Sequence, residues 1–80
     1  MSKHIFILAG SHKQAVEFAR ANKLWPQHWT FLNNERQLHG THNPSYIKVG
    51  GWQNAVNIFR IEQMLMSRNA VECKSVTVLN

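Results

Sequence analysis

Ile5-Phe6-Ile7-Leu8-Ala9-Gly10-Ser11-His12-Lys13-Gln14-Ala15-Val16-Glu17-Phe18-Ala19-Arg20 is answered, 40 residues further on, by Ser45-Tyr46-Ile47-Lys48-Val49-Gly50-Gly51-Trp52-Gln53-Asn54-Ala55-Val56-Asn57-Ile58-Phe59-Arg60, and the two stretches align without a gap. Ile7/Ile47, Gly10/Gly50, Ala15/Ala55, Val16/Val56 and Arg20/Arg60 coincide. Each stretch reads as an apolar strand, a glycine turn and a helix with an apolar face. The run from Ile5 to Ala9 has no polar residue, which suits a parallel strand covered on both faces. Two such units predict a parallel α/β sheet. Both glycine turns then fall at one edge of it, the edge at which such sheets bind ligands.

Working outward, Ser11 is an N-cap for the first helix. Ala15, Phe18, Ala19 and Val16 form its apolar stripe, and Arg20 and Lys23 lie toward its C-terminus, where cations suit the dipole. Trp25-Pro26 ends it near Asn22 to Leu24. His28 to Leu32 reads as a second strand, Asn33-Asn34 as a turn, and Glu35 to Leu38 as a short helix capped by Asn34. Gly40 to Pro44 is a loop. Ser45 to Val49 is the third strand, and after Gly50-Gly51 a longer helix opens at Trp52 or Gln53 and runs to about Arg68. The fourth strand lies within Val71 to Leu79, centred on Ser75 to Leu79.

Eighty residues make a single domain over residues 1–80, and right-handed crossovers set its strand order. It is a minimal three-layer, Rossmann-like α/β fold whose four-stranded parallel sheet has the order 2-1-3-4. Strands one and three are neighbours that the chain leaves in opposite directions, so Gly10 and Gly50 flank the topological switch point.

Composition narrows the function. Nine Lys/Arg oppose four Glu, there is no Asp, and the formal net charge is +5. That balance favours anionic partners: a nucleotide or other anionic small molecule, nucleic acid, or an acidic protein surface. The basic residues are dispersed rather than clustered. Cys73 is the only cysteine, which excludes an intramolecular disulfide and a cysteine-based zinc site and fits a reducing compartment. The first apolar run is too short for a signal-peptide core, and no stretch is long enough to span a bilayer. The expectation is a cytoplasmic protein with no membrane partner.

The candidate binding residues gather at the predicted turn edge. Gly10, Ser11, His12 and Lys13 combine a glycine, a helix N-terminus with free N–H groups, a hydroxyl and charge, which suits a phosphate. The stretch lacks the second glycine and the Gly-Lys of a P-loop, and lacks two glycines of a dinucleotide fingerprint. Gly50, Gly51 and Trp52 add a close backbone approach and an aromatic face for a base. Asn33 and Asn34 end the second strand at the same edge. His39 and His42 are short of a four-ligand zinc pattern, and no Asp is present to hold Mg²⁺. No catalytic residue, metal site or cofactor is therefore assigned. The second predicted helix is apolar on more than one face, and Phe59, Met64 and Met66 are the candidate interface, with a second copy or another protein.

From Ile5 to Arg68 the chain resembles a loose class of very small phage and mobile-element proteins. The matching residues are Gly10, Gln14-Ala15, Trp29, Leu38-x-Gly40 and Gly50. The resemblance implies a minimal Rossmann-like or P-loop-like fold without its catalytic motifs. It also implies action in a host cytoplasm by binding a host protein or sequestering a signal nucleotide. The leading expectation is a non-enzymatic protein that holds an anionic ligand at the strand-one/strand-three edge. A protein-interaction module or homodimer acting through the apolar helix over 53–68 is the alternative, and nucleic-acid binding is the third.

Overall fold

The computed structural model describes residues 4–73. Its regular elements are β1 (Ile5–Leu8), α1 (His12–Ala21), β2 (Trp29–Phe31), β3 (Ser45–Lys48), α2 (Ile58–Ser67) and β4 (Val71–Cys73). Three 3-10 turns lie between them, at Pro26–His28, Glu35–Leu38 and Trp52–Asn54. All strand pairs are parallel and the order is β2-β1-β3-β4, as the sequence predicts. The ladder between β1 and β3 pairs Ile5 with Ser45, Phe6 with Tyr46, Ile7 with Ile47 and Leu8 with Lys48. The sequence repeat and the strand register therefore share one offset.

The central strand β1 is buried along its whole length, because each of its faces is covered by a different layer. Ile5, Ile7 and Ala9 pack with Ile47 against Ala15 and Ala19 of α1. Phe6 and Leu8 pack with Leu32 against Leu38, Ala55, and Ile61 and Leu65 of α2. Alanines on the inner stripe of α1 let that helix lie close to the sheet. On the opposite face the larger Ile61 and Leu65 fill the space together with Leu38 from the Glu35–Leu38 turn.

Both helices end on the same device. Lys23 and Asn69 take left-handed φ values of 57° and 53°. Beyond them, Leu24 N–H donates to Ala19 C=O and Ala70 N–H to Leu65 C=O. That is the Schellman arrangement, which satisfies carbonyls that a helix end leaves free.

The start of the second helix differs from expectation. The sequence predicts one helix from Trp52 or Gln53 to about Arg68, but the chain makes a 3-10 turn at Trp52–Asn54 and a further turn, and α2 begins only at Ile58. Two local causes are visible. Ser11 caps α1 by accepting from Gln14 N–H, whereas Gly51 stands at the matching position with no side chain to offer. Asn57 then adopts φ 62°, a left-handed conformation that interrupts a helix and that Asn tolerates better than most residues. As a result Ala55 is buried like its counterpart Ala15, but Val56 faces solvent. The centre expected for the fourth strand, Ser75 to Leu79, lies outside the described residues. No helix among the described residues is long and apolar enough to cross a membrane.

Candidate functional site at the sheet edge

The sheet topology brings the ends of β1 and β3 side by side, so the Gly10 and Gly50-Gly51 turns meet. The contact is tight. A Cβ built on Gly10 would lie 2.6 Å from the Gly51 carbonyl oxygen and 2.9 Å from Gln14 Oε1. Gly51, at φ 82°, supplies the left-handed turn that aims its carbonyl at Gly10. Gly50 by contrast has no neighbour within 4 Å of its Cβ position. The second glycine of the pair, rather than the first, makes the inter-turn contact.

Gln14 joins the two turns. Its side-chain oxygen accepts a hydrogen bond from Gly10 N–H at 3.1 Å, and its amide lies 3.2–3.3 Å from the Cβ position of Gly51. A side chain of the protein itself thus lies against both turns at the switch point, and the N–H of Gly10 is already used. Sequence reasoning placed Gln14 on the helix and assigned it no role at the site. The available signal was its position four residues after Gly10, one helical turn along, where a side chain can reach back to the preceding turn.

The other predicted residues distribute as follows. Ser11 Oγ accepts from Gln14 N–H at 3.3 Å. The His12 ring leans on β2, with centroids 5.4 Å from Phe31 and 6.4 Å from Trp29. Lys13 is exposed on the first turn of α1, and that turn holds no acidic residue. The backbone N–H groups of His12 and Lys13 have no acceptor among the described residues. Asn33 and Asn34 are drawn into their own turn. Both N–H groups donate to Gln37 Oε1, at 2.9 and 3.1 Å, and Asn34 Oδ1 accepts from Arg36 N–H at 2.8 Å.

Trp52 is half-buried against the core beneath α2, and Lys48 Nζ sits 4.1 Å from its ring centroid. Its indole is therefore a cation–π partner within the fold. On α2 the structure separates the three interface candidates. Met64 packs against the core with Ile58, while Phe59 and Met66 are 82% and 79% exposed. Among the described residues no three His, Cys, Asp or Glu side chains are grouped as metal ligands.

Among the described residues, the edge can therefore offer an oxyanion two backbone donors without acceptors and the exposed Lys13 ammonium, beside the Gly10–Gly51 contact on which Gln14 lies. Comparison with protein-family models, curated proteins and solved structures returns no match.

Proposed function

We propose that the protein is a small non-enzymatic binding module that holds an anionic ligand, a nucleotide or another phosphate-bearing molecule, at the β1/β3 edge. The observation that supports this is the first turn of α1. It carries Lys13, no carboxylate, and two backbone N–H groups without acceptors among the described residues. A cation at a helix N-terminus opposes the dipole, at a cost of about 0.3–1 kcal/mol. A bound anion turns both features favourable.

The test substitutes Lys13, which is exposed, rather than Gly10, whose replacement would disturb packing. Wild-type protein and Lys13→Ala are titrated with inorganic phosphate and adenosine monophosphate in a thermal-shift assay at low and high salt. The expected result is a saturable shift that survives high salt and weakens about tenfold in the variant, the scale of one charge-assisted hydrogen bond. Equal shifts in both proteins, or none at millimolar ligand, would overturn the reading. A shift given only by an oligonucleotide and lost in salt would move it to nucleic-acid binding.

A second reading is favoured by one observation. Phe59 and Met66 are seven residues apart on α2, hence on one face, and both side chains stand in solvent. That pattern suits a helix whose outer face inserts into an apolar groove of a second copy or of another protein. Sedimentation velocity of wild type and Phe59→Glu decides the homodimer form. A concentration-dependent dimer that becomes a monomer in the folded variant supports it, and a monomer at every concentration removes it.

A further inference from the structure

The two faces of the sheet carry different charge. Three of the four glutamates stand on the α2 side. Glu62 is on α2, Glu35 is on the turn whose Leu38 packs with α2, and Glu72 accepts from the Tyr46 hydroxyl at 3.3 Å beside the same cluster. The crossover between β1 and β2, residues 9–28, packs on the opposite face. It has Lys13, Arg20 and Lys23 against Glu17 alone, and all four residues are exposed.

Two of these cations adjoin an exposed indole. Arg20 lies in the last turn of α1, Lys23 in the left-handed turn beyond it, and Trp25 two residues further on. Trp25 is 66% exposed, whereas Trp29 and Trp52 pack against the two cores. The backbone around it is pinned. Leu24 N–H donates to Ala19 C=O at 2.8 Å, and Trp25 C=O accepts from His28 N–H at 2.9 Å. The helix dipole accounts for cations at a C-terminus. It does not account for an indole held in solvent beside them.

We infer that Arg20, Lys23 and Trp25 form a contact surface for single-stranded nucleic acid, the cations on its phosphates and the indole stacked on an unpaired base. Charge complementarity selects a polyanion. The exposed ring selects one with accessible base faces, which a duplex keeps inside its own stack. A ring whose backbone is already fixed loses little freedom on binding. The surface lies at the opposite end of α1 from Lys13 and does not rest on the anion site proposed there.

The probe is a fluorescein-labelled oligothymidylate of about ten nucleotides, within the usual span of such sites. It is titrated with the full-length protein and followed by anisotropy across a salt series. The expected result is saturable binding that weakens with salt and is tighter than that of a duplex of the same length. Trp25→Ala should lower affinity about tenfold, the scale of one stacked base, and Trp25→Phe less than about threefold. Arg20→Gln should reduce the salt slope by about 0.7, one phosphate contact on a single strand. Arg60→Gln is the internal control. It stands at the matching position of the second unit, exposed on α2, removes the same charge and should leave the slope unchanged. These two exposed arginines keep the test readable if Trp25→Ala is less stable. Equal slopes in Arg20→Gln and Arg60→Gln, full affinity in Trp25→Ala, equal or tighter binding of the duplex, or no binding at low salt would each overturn the assignment. Trp25-dependent binding to phosphatidylserine vesicles without binding to the oligonucleotide would mark a membrane contact and overturn it too.

Discussion

Gly10→Val lowers the thermal unfolding midpoint by more than about 12 °C, taking about 4 °C per kcal/mol for a domain of this size. The added side chain has nowhere to go, since its Cβ alone would sit 2.6 Å from the Gly51 carbonyl oxygen and 2.9 Å from Gln14 Oε1. Gln14 can swing away, but the carbonyl belongs to the backbone of a turn fixed by hydrogen bonds from Trp52 N–H to Val49 C=O and from Asn54 N–H to Gly51 C=O. Relief therefore requires β1 and β3 to part at their ends. Overpacking of this kind costs about 3 kcal/mol. A domain of 80 residues has little to spare, because small domains bury only about 60% of their unfolded surface. Gly50→Ala is the control: its Cβ meets nothing within 4 Å, and its midpoint should match wild type within about 2 °C. Thermal denaturation by circular dichroism compares the three proteins. A folded Gly10→Val with a wild-type midpoint would show that the two turns are not in contact in solution.

Leu38→Ala should cost about 3 kcal/mol, in the range for a buried leucine that leaves a cavity. Leu38 belongs to a four-residue 3-10 turn, yet it is 0% exposed and sits among Phe6, Leu8, Leu32, Ile61 and Leu65. With Leu32 it is a fully buried core side chain of the β2–β3 crossover, which has a 3-10 turn where a full helix could stand. Phe59→Ala, on α2 but 82% exposed, removes a larger side chain and should change stability by no more than about 0.5 kcal/mol. Urea denaturation of both variants sets turn against helix. A larger loss from Phe59 than from Leu38 would mean that α2 packs with the other face inward.

The parallel sheet was legible because the repeat carried it. Equal spacing in both units fixed the strands, and the offset between them became the β1–β3 register. The helices were less legible. Ala55-Val56 repeats Ala15-Val16, but capping depends on one side-chain oxygen at position 11, and Gly51 has none. Apolar periodicity is blind to that, and to the left-handed Asn57 that delays α2. The apparent excess of apolar faces on the second helix has the same origin in part, since Val56 lies outside α2.

At the candidate site, the meeting of the glycine turns was readable from topology. The side chain that lies against both turns was not, because Gln14 reaches back along the helix rather than outward.

The place of β1 in the sheet also bears on how the chain emerges during synthesis. Ile5 to Leu8 are made before the three other described strands, yet they pair with residues 29–31 on one side and 45–48 on the other. At about 5–20 residues per second, several seconds pass before both neighbours exist. Throughout that interval the most apolar segment of the nascent chain has at least one of its two ladders missing. The unpaired stretch Ile5 to Leu8 is then an exposed apolar edge, the kind of surface through which nascent chains aggregate, until residues 45–48 have emerged.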